Sequence, residues 1–236
     1  MSDDIASRTG HSGVVRVTHW VTSLAVAALL VSGYVITMTH PRLYWGDVGN
    51  DLTPAWITLP IDQKFGESGW GRSLHFLGAW VMVLTGVVYV LWSATAHHFG
   101  RDLLPRREEF RASHMRREIA KQLRWHVPRG ADYGLAQKLT YVTVVFLLAP
   151  LAILTGLTMS PAVTAAYPLL LSMFGGFQSA RTIHFFDSVA LVLFLFVHVI
   201  MVVRSGFTPQ MRSMTLGERS NERLPHLTTG VVSDGR

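Results

Sequence analysis

The sequence predicts an all-α integral membrane protein, a four-helix transmembrane bundle with its N- and C-termini both on the cytoplasmic side. Three observations carry that prediction. Charged residues make up only 15% of the 236-residue chain, a low share for a soluble domain. Four apolar stretches, at about 20–38, 74–96, 139–160 and 183–203, each approach the roughly 20 residues a helix needs to cross a bilayer. Lysine and arginine, finally, are shared very unequally among the connections.

The elements follow in order. The N-terminal segment carries two of these cations, Arg8 and Arg16, and does not read as a secretory signal. After the first span comes an outer loop, 40–73, rich in Trp, Pro and Gly and poor in charge. A connection of this length without a disulfide is either packed on the helices or kept for a partner. The loop after the second span, 97–138, carries ten cations, and the tail from Arg204 carries five. The two connections on the opposite side hold four, Arg42, Lys64, Arg72 and Arg181. The positive-inside rule therefore places both termini and the 97–138 loop in the cytoplasm, in a multi-pass protein of a bacterial inner membrane. The net charge of +6 is then a record of topology, and no nucleic-acid partner is expected. Within that loop, 106–124 alternates charged and apolar residues, as an amphipathic helix on the lipid surface or a solvated connector would. The apolar run 162–177 is interrupted by Pro168, Gly175 and Gly176. It reads as a short interfacial helix or re-entrant loop before the last span. Residues 1–236 form one domain, with no internal repeat evident.

The chain has no cysteine, which excludes disulfides, cysteine-ligated iron–sulfur clusters and covalently attached haem. Histidine, with eleven copies, is left as the ligand for iron. His184 and His198 lie fourteen residues apart on the last span, about 40° short of four full turns, so they share one helix face about 21 Å apart along the axis. His19 opens the first span on the inner side, and His75 opens the second on the outer side. The topology sorts the four into two pairs at matching depth, His75 with His184 and His19 with His198. Each pair supplies the two axial ligands of one b-type haem.

Arg16, Arg72 and Arg181 each precede one of these histidines by three residues. That spacing puts a cation on the same face, one turn nearer water, where haem propionates would be paired. Gly33 and Gly86 fall on the faces of His19 and His75 at the depth of the other pair, leaving clearance for a flat cofactor. His19, His75 or His184 alone is equally well explained as an interfacial residue, and glycine is common in membrane helices for packing; His198, an ionisable group well inside the membrane, is the exception. The paired depths and the repeated arginine spacing favour ligation. His97 and Asp102 sit where the second span reaches the inner face, a place for a quinone head group.

Several strings are distinctive. They are His40-Pro41-Arg42-Leu43-Tyr44-Trp45-Gly46, Arg101-Asp102-Leu103-Leu104-Pro105, Leu154-Thr155-Gly156-Leu157-Thr158-Met159-Ser160-Pro161, and Gly175-Gly176-Phe177-Gln178-Ser179-Ala180-Arg181-Thr182-Ile183-His184. With the four histidines they make residues 14–215 resemble the four-helix dihaem cytochrome b family. That family includes the cytochrome b subunits of formate dehydrogenase and nickel–iron hydrogenase and the b561-like proteins; the thiosulfate-reductase-like branch is the best match. The resemblance implies two haem b groups, a quinone as substrate and a periplasmic redox subunit as partner, often molybdopterin-dependent. Electrons would pass between the quinone pool and that subunit, in a direction the sequence leaves open. One alternative is a stand-alone b561-type quinol oxidase that passes electrons to a small acceptor such as superoxide. Another is a haem-free anchor or transporter, which would leave the four paired histidines unaccounted for.

Overall fold

The computed structural model describes residues 12–50, 52–61, 69–95, 139–140 and 142–217. The first span is helix α1, Gly13–Thr39, and the second is α2, Gly69–Thr95. Between them a two-residue antiparallel ladder joins β1, Arg42–Leu43, to β2, Ile57–Thr58, with Arg42 opposite Thr58. The third span contains α3, Ala149–Thr158. Two short helices follow, α4 at Pro161–Ala166 and α5 at Leu169–Phe174. The last span is α6, Phe177–Arg204, and α7, Phe207–Thr215, closes the described chain. Helices α1, α2 and α6 are long and apolar enough to cross a membrane, and Val144–Thr158 is a shorter apolar helix.

α1 and α2 begin earlier than their apolar runs because helix geometry continues into the polar boundary. Ser12 caps α1 by accepting a hydrogen bond from the Val15 N–H at 3.3 Å, satisfying one of the donors that a helix start leaves open. The third span is not a plain α-helix. Val144–Leu148 is a π-helical turn that runs directly into α3. The cause lies in Pro150, which lacks an N–H and whose ring crowds the carbonyl four residues back. The turn widens accordingly, and the Ala149 N–H reaches the Val144 carbonyl, five residues earlier.

The apolar run 162–177 resolves into two short helices rather than one. Pro168 supplies no N–H to continue α4, so a second helix starts behind it. α5 stops at Gly175, which takes the left-handed conformation (φ 70°) and donates to the Ser172 carbonyl, while the Gly176 N–H reaches Leu171.

Close backbone packing among the described helices is strongest within two pairs, α1 with α2 and α3 with α6. Small residues permit it: Gly78 of α2 packs against Leu29 and the Ala25 carbonyl of α1, where a Cβ would lie 3.1 Å from Leu29 Cγ. At one end of the bundle, Arg16 and Trp20 of α1 donate to the Thr215 and Met214 carbonyls of α7. The start of the first span and the end of the described chain therefore share a side, as the distribution of cations requires.

Candidate functional site

The opposite end is organised by the outer loop. α6 opens with Gly176 as its N-cap, which has no side chain to satisfy the first N–H groups. The loop does so instead. The Gly46 carbonyl accepts from the N–H groups of Gln178 (2.9 Å) and Ser179 (3.1 Å), and Asp47 Oδ1 accepts from that of Phe177 (3.3 Å). Ser179 Oγ accepts from the Gly46 N–H at 2.7 Å, and the buried Thr182 hydroxyl donates to the Tyr44 carbonyl at 2.7 Å. Arg181 donates to the Arg42 carbonyl and stands over the Tyr44 ring, 6.0 Å from its centroid. The loop is packed on the helices through Leu43 and Tyr44, which are buried, whereas Trp45 and Trp56 are each 60% exposed and stack edge to face at 5.7 Å.

This loop fixes the first turns of α6 and thereby the height of His184. The His184 ring meets that of His75, on α2 of the other helix pair, with centroids 6.1 Å apart and planes inclined at 70°. Two imidazoles that share one metal at about 2 Å per nitrogen have centroids about 6 Å apart. Rotation about a common ligand axis leaves the interplanar angle free.

The hydrogen bonds favour one tautomer of each ring. Ser32 Oγ lies 3.0 Å from His75 Nδ1, and its own O–H is directed to the Ala28 carbonyl at 2.7 Å. A hydroxyl has one proton to give, so Ser32 accepts from Nδ1–H. Thr155 does the same for His184: Oγ1 lies 2.9 Å from Nδ1 and donates to the Leu151 carbonyl at 2.7 Å. Both rings thus carry the proton on Nδ1 and leave the Nε2 lone pair for a metal. A carrier for the far nitrogen is the usual support of a ligating histidine. Among the described residues no group of three or more His, Cys, Asp or Glu could hold a bare ion. A macrocycle that brings four nitrogens of its own needs only two.

The surroundings of the two histidines are alike in residue type. Gly33 follows Ser32, and a Cβ there would lie 3.7 Å from His75 Cε1; Gly156 follows Thr155, and its Cβ would lie 3.6 Å from His184 Cε1. Ahead of the histidines run Gly71-Arg72-Ser73-Leu74-His75 and Ala180-Arg181-Thr182-Ile183-His184. The two stretches are alike in type, a small residue, Arg, a hydroxyl residue, an aliphatic residue and then His. Ser32 and Thr155 were missed because a hydroxyl in an apolar helix reads as self-satisfied, although Ser-Gly and Thr-Gly within two spans was the available signal. One position breaks the match. Asp187, three residues after His184, stands where α2 has Gly78. It is 5% exposed, and neither carboxyl oxygen is hydrogen-bonded among the described residues.

The other predicted residues distribute as follows. His19 packs edge to face on Trp20 at 5.4 Å, and His198 stacks on Phe194 at 5.8 Å. Arg16 holds Thr215, Arg181 holds the outer loop, and Arg72 is exposed at the start of α2. Among the described residues nothing lies within 4 Å of a Cβ added at Gly86. His97, Asp102 and the stretch 106–124 lie outside the described residues.

A family model described as prokaryotic cytochrome b561 matches residues 10–217. The chain belongs to that family. It is accordingly a haem-bearing membrane cytochrome b of electron transport, a b561-type subunit of oxidoreductase systems. A relative in Azospira oryzae, named as a protein-methionine-sulfoxide reductase subunit YedZ1, is 28% identical over 81% of this chain and 89% of its own length. Two relatives named as Ni/Fe-hydrogenase B-type cytochrome subunits are each 23% identical. The one from Cupriavidus necator aligns over 80% of this chain and 76% of its own, and the one from Bradyrhizobium diazoefficiens over 87% and 83%.

Proposed function

We propose that this b561-family cytochrome is a dihaem electron wire of a bacterial inner membrane, linking the quinone pool to a periplasmic oxidoreductase subunit. The facing rings of His75 and His184, 6.1 Å apart with both Nδ1 protons engaged, are the observation that carries the reading. These two residues hold the outer haem b, and His19 and His198 hold the inner one. The helix rise puts the two levels of α6 about 21 Å apart. A bound b haem supplies one-electron chemistry, and ligation from both sides leaves its iron no open position for oxygen. The chain's own part is to fix the ligands, set their basicity and keep the path between the levels apolar.

Arg16, Arg72 and Arg181 supply positive charge toward the propionates, and Gly33 and Gly86 give the macrocycles clearance. The partner reading rests on relatives named as subunits of a reductase and of hydrogenases. A molybdopterin-dependent partner fits the resemblance of the sequence to the thiosulfate-reductase-like branch. The exposed Trp45 and Trp56, on a loop pinned above the outer pair, give that partner a contact close to the outer centre. Quinone exchange belongs to the inner face, where His97 and Asp102 follow the second span in sequence.

A pyridine haemochrome assay with a redox titration of the purified protein tests the reading. Two b haems per chain are expected, His75→Ala and His184→Ala losing one and His19→Ala and His198→Ala losing the other. A single haem, or loss of the same haem in all four variants, would overturn it.

A further inference from the structure

We propose that Ser32 and Thr155 are paired positioning residues that set the potential of the outer haem, each through the ligand it faces. The inference rests on the assignment of His75 and His184 as the outer ligands. Both hydroxyls are fully buried, and both spend their proton on a carbonyl four residues back in their own helix. What each turns toward the imidazole is an oxygen lone pair. The opposite tautomer would set a nitrogen lone pair against that oxygen, so the ring is held with its proton on Nδ1.

The electronic consequence has a definite sign. An imidazole whose Nδ1–H is engaged by an acceptor is a more basic donor at Nε2. Stronger donation favours the more highly charged ferric iron and lowers the reduction potential. The negative end of each hydroxyl dipole points toward the ligand and acts in the same direction. Because the residues come from different helix pairs, with Ser32 on α1 and Thr155 on α3, each controls its own axial ligand. The two shifts have the same sign, and because both ligands act on one iron their sum is not fixed by the single variants. His19 and His198 are ligands at the other depth, so the inner haem should not respond.

Ser32→Ala and Thr155→Val remove the hydroxyls with little change in volume, and Thr155→Ser keeps the hydroxyl while removing a methyl. The outer haem of each of the first two variants should titrate to higher potential. At fixed ambient potential the ratio of reduced to oxidised iron rises about two- to tenfold, the range of a single hydrogen bond. Tenfold corresponds to 59 mV for one electron. The double variant should titrate higher than either single variant, and Thr155→Ser at the wild-type value. The low-spin ferric electron paramagnetic resonance signal of the outer haem should shift with the potential, while that of the inner haem stays put. Unchanged potentials with both haems bound would overturn the proposal, as would equal shifts of both haems. Loss of the outer haem in Thr155→Val but not in Thr155→Ser would support an orienting hydroxyl, whereas loss in both would overturn it. The ligand assignment fails separately, by retention of both haems in His75→Ala or His184→Ala.

Discussion

Gly176→Ala should strip the cytochrome of its outer haem and leave the inner one. The glycine sits at φ 106°, a backbone conformation that L side chains rarely adopt, and holding a non-glycine residue there costs about 1–3 kcal/mol. A Cβ at this position would also lie 2.6 Å from the carbonyl oxygen of Gly46. Backbone cannot yield as a flexible side chain can, so the outer loop must withdraw. That same carbonyl accepts the N–H groups of Gln178 and Ser179. Losing both bonds costs about another 1–3 kcal/mol. The combined penalty of about 2–6 kcal/mol falls on the first turns of α6, the segment that sets the height of His184. For a domain of this size it should lower the thermal midpoint by roughly 5–20 °C. Gly69→Ala, where an added Cβ meets nothing within 4 Å, is the control. Both variants would be purified in detergent, heated while the haem bands are followed, and titrated. A Gly176→Ala protein with two haems, unaltered potentials and a midpoint within about 1 °C of the parent would refute the coupling between loop and ligand.

Two further outcomes are expected. Gly86→Leu adds a side chain where none of the described residues lies within 4 Å of a Cβ, so the protein should fold and keep the outer haem. If Gly86 clears the inner macrocycle, the haemochrome assay will show that haem alone lost. Combining Arg16→Ala with Trp20→Phe removes two hydrogen bonds that tie α7 to α1 and should raise the rate of tryptic cleavage at Arg212 roughly 30-fold, at about 1 kcal/mol per bond. Unchanged proteolysis would mean that α7 is held by other contacts.

Much of this cytochrome was legible in one dimension. Helix spacing placed His184 and His198 on one face, and the count of cations oriented the spans. Together those set His75 level with His184, and the 6.1 Å approach of the rings fulfils that expectation. The boundaries were less legible, because the apolar run of a span ends before its hydrogen-bonded helix does. The widened turn at Val144–Leu148 was visible in principle in Pro150, but a proline in a membrane helix can be accommodated by a kink or a π turn, and sequence does not choose between them.

The sequence by itself determined the class, the membrane crossing and the common level of His75 and His184, because hydrophobic length, charge and helical rise are local properties that survive without neighbours. Tertiary structure alone decided how these two histidines are held. Ser32 and His75 are 43 residues apart, Thr155 and His184 are 29 apart, and Gly46 caps a helix that begins 131 residues later. A hydroxyl in an apolar helix reads as a self-satisfied polar group wherever it occurs. Only when two helices pack closely enough for its second lone pair to meet an imidazole does it become a partner of that ring.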